Sequence, residues 1–176
     1  MLSTIAIPHL FALALVAGAA FTDARTGHIP NALTLPPILL APLAYLVASG
    51  PKMAAMSLLA AFVCALVPYL MFRKGAAGGG DVKLLAALGA IAGASFGIET
   101  QIFGFTIAAF VSLGLLTFRG KLASTLCNAL FLAINPFLPK RYKRIAAPEV
   151  MSTIRMGVPF MVGALIALWL RTGAVA

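Results

Sequence analysis

Residues 53–72 read MAAMSLLAAFVCALVPYLMF, a run of twenty residues without one charged side chain. A helix rises about 1.5 Å per residue, so such a run reaches ~30 Å, the thickness of a bilayer's hydrocarbon layer. The run is continuous rather than alternating, which is the pattern of a helix and not of a barrel strand. Helices and closed barrels are the two ways to cross lipid, because every backbone polar group must be paired internally there. Working outward, further apolar runs occupy residues 2–22, 33–49, 84–98, 102–118 and 157–170. The 176 residues are 62% hydrophobic and 10% charged, with a mean hydropathy of +1.05. A soluble domain carries roughly 25% charged residues to cover its surface, so lipid is the solvent for most of this chain. The expectation is an all-α membrane protein: a bundle of about six transmembrane helices forming a single membrane-embedded domain over residues 1–176.

Two segments refine that picture. The run at 84–98 is short and rich in Ala and Gly, which suits a helix packed among others. A seventh stretch, 122–138, is interrupted by Ser124, Thr125, Asn128, Asn135 and Pro136, while Leu122, Leu126 and Leu130 recur at helical spacing. It reads as an amphipathic helix lying in the interface.

The charges assign sides. With six spans, the loops 23–32, 73–83 and 119–156 share one face and hold 11 of the 13 Lys and Arg residues; only Lys52 and Arg171 fall on the other. Lys and Arg concentrate in cytoplasmic loops, so these loops are expected in the cytoplasm and both termini outside. The net charge of +9 is therefore a topology signal, and no soluble basic domain exists to bind nucleic acid. Cys64 and Cys127 stand singly with no CxxC pair, so neither a zinc site nor a disulfide framework is expected.

Acidic residues are scarce: Asp23, Asp81, Glu99 and Glu149 are all there are. Both aspartates fall at the expected cytoplasmic ends of helices, the first and the fourth. A carboxylate at membrane depth is costly and marks function by default. The structural alternative is that Asp81 caps the fourth helix while Asp23 ends the first and pairs with Arg25. Glu99 and Glu149 fall in expected loops. Around the second aspartate the chain reads Gly78-Gly79-Gly80-Asp81-Val82-Lys83. Glycines before a buried carboxylate allow close backbone approach and permit φ > 0, so an extended peptide could lie alongside. The run lacks the GK[ST] ending of a phosphate loop. Lys83 either snorkels to the interface or tunes the aspartates. Around the first aspartate, Asp23-Ala24-Arg25 is followed by Ile29-Pro30-Asn31, a stop-and-restart signal before the second span.

Asp23-x-Arg25…Ile29-Pro30-Asn31 together with Gly78-x-Gly80-Asp81-x-Lys83 resembles the type IV prepilin peptidase family, membrane aspartic proteases of the GxGD kind. Gly157-Val158-Pro159-Phe160 is similar to the start of that family's final helix, although Met161 stands where the family often has glycine. The resemblance implies catalysis by Asp23 and Asp81, supported by Gly78, Gly80, Lys83, Arg25, Pro30 and Asn31, with no metal and no cofactor. It also implies a prepilin substrate whose basic leader stays cytoplasmic while its hydrophobic stem enters the membrane. A basic leader would be repelled by Arg73, Lys74 and the cluster from Lys140 to Arg144, which are therefore expected to bind anionic lipid. Full-length members carry a cytoplasmic insertion with two CxxC pairs and an N-methylating activity; nothing of that kind precedes Asp23, so the chain resembles the short, Flp-type tight-adherence branch. Two other classes use the same residues differently: a small proton-coupled transporter with the aspartates as carriers, or a pilus-assembly scaffold without catalysis. A transporter usually shows inverted repeats and a midplane site, neither of which is evident.

Overall fold

The computed structural model of the chain describes residues 7–118 and 155–173. The chain divides into two units, Met1–Ile107 with Arg155–Ala176, and Ala108–Ile154. Six helices are described: α1 (Ile7–Thr26), α2 (Asn31–Ser49), α3 (Pro51–Arg73), α4 (Gly79–Ala92), α5 (Ala94–Phe118) and α6 (Gly157–Gly173). The architecture is all-helical, as the continuous apolar runs require. Four helices are long and apolar enough to cross a membrane: α1, α2, α3 and residues 94–115 of α5; α6 is a shorter apolar helix. The stretch 122–138, with the expected interfacial helix, and the basic cluster from Lys140 to Arg144 lie outside the described residues.

The hub of the first unit is α4. It packs against α1, α2 and α3, while α1 also packs on α6 and α2 on α3. Every residue from Leu84 to Ala90 is buried, which explains why this stretch is built from leucine, alanine and glycine rather than amphipathic. Small residues let the backbones close in, as they do where helices meet in lipid. A methyl group on Gly89 would stand 2.5 Å from the carbonyl oxygen of Ala60 on α3. Within the first unit, α2 and α3 turn large side chains outward: Leu39, Leu43, Phe62 and Leu66 are all exposed, as lipid-facing side chains are.

The boundary between the fourth and fifth helices differs from the sequence expectation. Polar residues Glu99, Thr100 and Gln101 had marked a loop; instead the break falls at Gly93, which adopts φ 87°, and α5 starts at the next residue. Only glycine takes that conformation readily, so it ends one helix and releases the next. The polar trio then lies inside α5, where Glu99 and Gln101 find partners and the buried Thr100 hydroxyl has none among the described residues. Thr100 and Gln101 are buried, and the Gln101 amide donates to the Cys64 carbonyl of α3. Glu99 is no loop residue either. It receives two hydrogen bonds of 2.8 Å from the Arg171 guanidinium of α6. That guanidinium also sits 5.5 Å from the centre of the Phe96 ring, against which His9 of α1 packs edge-on at 5.0 Å. At 14 residues α4 measures ~21 Å, short of a full hydrocarbon layer.

Candidate active site

Asp23 lies in the last turn of α1. The helix ends at Thr26 because Gly27 takes φ 68°, its N–H closing on the Asp23 carbonyl at 2.8 Å. The chain then runs through His28 and the buried Ile29 to Pro30, whose extended backbone (φ −69°, ψ 141°) starts α2 at Asn31. The stop-and-restart signal thus folds into a tight connection that tucks Ile29 under α4.

Asp81 occupies the third position of α4. It does not stand at the cap itself: Gly78 does, and Asp81 reaches back so that its Oδ2 accepts the Gly78 N–H at 3.0 Å. Asp23 is held in a parallel way from the far end of the chain. Its Oδ2 accepts the Gly157 N–H, at the first residue of α6, at 2.8 Å. Each carboxylate therefore neutralises a donor that a helix start leaves open. Both are buried, at 6% and 7% exposure, and they lie within electrostatic reach of each other where α1 packs on α4.

The basic residues that flank these positions are engaged elsewhere. Arg25 does not pair with Asp23; its guanidinium stacks 4.3 Å over the Phe21 ring. Lys83 follows Asp81 by two residues, a spacing that places two side chains on different faces of a helix. Its Nζ donates instead to Asn31 Oδ1 at 2.8 Å, tying α4 to the start of α2. The Arg155 guanidinium donates to the Ala24 carbonyl at the end of α1. Among the described residues, Arg171–Glu99 is the one ion pair, and it touches neither aspartate.

The glycines before Asp81 serve space rather than unusual backbone angles. Among the described residues positive φ occurs at Gly27, Gly50, Gly75 and Gly93, and at none of Gly78, Gly79 or Gly80. A methyl group on Gly80 would stand 3.1 Å from Ile29 Cβ, and one on Gly78 would stand 3.2 Å from Asp81 Oδ2. The expectation of φ > 0 is corrected on this point: Gly80 lets Ile29, and Gly78 lets the carboxylate, approach the backbone, while Gly79 faces the Phe72 ring. The structure thus brings the two sequence motifs together through Asp23 with Asp81, Ile29 with Gly80, and Asn31 with Lys83. Arg25 and Pro30 shape the connection without touching the carboxylates. Sequence reading missed the partner of Asp23, although Gly157 stood within a segment it had singled out.

Comparison with known families places a match to the type IV leader peptidase family over residues 10–117, which includes both aspartates. Searches of curated proteins and of solved structures return no match. The family match covers more than half of the chain, and four of the helices are candidate membrane spans. With two buried aspartates inside the matched region, the chain belongs to the type IV leader peptidase family, multi-pass membrane enzymes that cleave prepilin leader peptides as aspartic-type peptidases.

Proposed function

We propose that this enzyme removes the basic leader from Flp-type prepilins at the cytoplasmic face of the membrane, with Asp23 and Asp81 as its catalytic pair. The observation that carries the reading is that both carboxylates are buried and held by backbone N–H groups, with no cation among the described residues paired to either. Carboxylates brought close together resist double ionisation and tend to share one proton. The ionised member takes a proton from water, which attacks the scissile carbonyl; the protonated member polarises that carbonyl and then supports departure of the amine. With one oxygen of each carboxylate tied to an amide, Oδ1 is left to do this work.

The orientation rests on the charge count. Arg25, Lys83 and Arg155 lie at the aspartate end, with 11 of the 13 Lys and Arg residues in loops assigned to that side, so it faces the cytoplasm. The bundle then has six crossings, with α4 and α6 as its shorter members. Exposed Arg73 and Lys74 at the end of α3 engage anionic lipid. Cleavage needs no metal or cofactor, and no methyl transfer to the new N-terminus accompanies it.

Co-expression with a Flp-type prepilin tests the whole reading. The leader should be removed by the unsubstituted chain and retained with Asp81→Asn at equal expression, and the product's N-terminus should be unmethylated by mass spectrometry. A cysteine placed by Thr26→Cys should resist a membrane-impermeant reagent applied from outside. Cleavage by an inserted Asp81→Asn protein would overturn the catalytic assignment.

A further inference from the structure

The start of α6 lies outside the span matched by the family, residues 10–117, yet it packs against Asp23 and donates a hydrogen bond to its carboxylate. Two features of Gly157 matter independently. Its N–H donates to Asp23 Oδ2 at 2.8 Å in a buried setting. It also has no room for a side chain: a Cβ there would stand 2.9 Å from Ala20 Cα, 2.9 Å from Asp23 Cβ and 3.0 Å from Asp23 Oδ2. The first two neighbours are tied to the α1 backbone, so any added carbon must push the carboxylate or the helix start away. The chain around Gly157 is anchored on both sides. Arg155 donates to the Ala24 carbonyl, and Phe160 packs edge-on against Phe105 at 5.3 Å. The amide is therefore presented to Asp23 from a fixed direction.

We propose that Gly157 is a positioning residue of the cleavage site, its backbone N–H and its missing side chain together fixing the Asp23 carboxylate in register with Asp81. The start of α6 does for Asp23 what Gly78 does for Asp81. The bond from Gly157 fixes which Asp23 oxygen is turned to the start of α6. The inference rests on the reading that Asp23 is catalytic, and the experiment separates the two.

Four forms of the full-length membrane enzyme are compared with the unsubstituted one in a prepilin cleavage assay, with kcat and KM determined on folded protein. In one, the Gly157 amide is replaced by an ester through incorporation of glycolic acid, which deletes the N–H and adds no atom that could clash. The others are Gly157→Ala, Gly163→Ala and Asp23→Asn. Gly163 is the packing control. It is equally tight on the same helix, a Cβ there standing 2.7 Å from the Gly104 nitrogen, but its neighbours are on α5. The ester should lower kcat about tenfold or more, the loss expected on removing one hydrogen bond to a charged group, with KM within about twofold. Gly157→Ala should do at least as much, while Gly163→Ala should keep kcat within about twofold even if it lowers the yield of folded enzyme. If Gly157→Ala does not insert, the ester alone decides. An ester with unchanged kcat, a loss confined to KM, or an equal kcat loss in Gly163→Ala overturns the positioning role while an inactive Asp23→Asn leaves the catalytic reading standing. An active Asp23→Asn overturns both.

Discussion

The molecule treats its acidic residues in two opposite ways. Glu99 is bound by both arms of the Arg171 guanidinium at 2.8 Å, and the pair is partly open, with the side chains 39% and 33% exposed. Asp23 and Asp81 are buried and meet backbone amides, while Arg25, Lys83 and Arg155 turn to an aromatic face, an amide oxygen and a carbonyl. A guanidinium pair fixes a carboxylate in its charged form and saturates its oxygens. An amide N–H orients a carboxylate but leaves a second oxygen open and the proton exchangeable. The first arrangement joins helices; the second keeps chemistry available.

The comparison breaks most sharply at the aspartates. Asp23→Asn and Asp81→Asn should each reduce prepilin cleavage by on the order of 10³-fold or more, and the double variant should be no worse than either single one, because members of one catalytic unit are not additive. Both should still insert, since asparagine keeps an oxygen for the Gly78 or Gly157 amide. Additive losses in a quantitative assay would show two independent residues rather than a pair. A smaller effect is expected at the junction of the two motifs. Gly80→Val crowds Ile29, against which even a Cβ at position 80 would stand at 3.1 Å. Cleavage should fall about tenfold, consistent with an overpacking cost of ~1–3 kcal/mol, and Ile29→Ala in the same chain should restore much of it. No recovery would mean that Gly80 acts other than by making space. The smallest effect should come from Glu99→Gln. Cleavage should stay within about twofold, and thermal stability should fall by no more than ~1 kcal/mol, as for other part-exposed ion pairs. A large loss of cleavage there would erase the distinction between the two ends.

The site was more legible in the sequence than the helix boundaries were. Asp23 and Asp81 stood out because a lipid-dissolved chain has few acidic residues, and the glycines before Asp81 marked close approach. The reason for those glycines was misread, since room for Ile29 depends on a residue some fifty positions earlier. The loop placed at 99–101 failed because polarity was taken for exposure. Glu99 and Gln101 are satisfied by partners on α6 and α3, which no local pattern reveals, whereas the small, unremarkable Gly93 makes the turn. The tie between Asp23 and Gly157 was equally hidden, because a backbone donor has no signature in the side-chain sequence.

The prolines of α2 give the first unit an uneven stiffness. Pro36, Pro37 and Pro42 lie inside that helix, whereas α3 has Pro68 alone in its interior and α4 and α5 have none. Each proline lacks an N–H, so the carbonyls of Ala32, Leu33 and Ile38 go without the bond that normally stitches one turn to the next. A rod with missing stitches bends under less load than its neighbours do. The helix with the most interior prolines is thus the one whose foot, Asn31, is fastened by Lys83 to the helix that carries Asp81. Bending of α2 is therefore transmitted through that tie toward the aspartates, while α4, with its hydrogen bonds uninterrupted by proline, is the stiffer support.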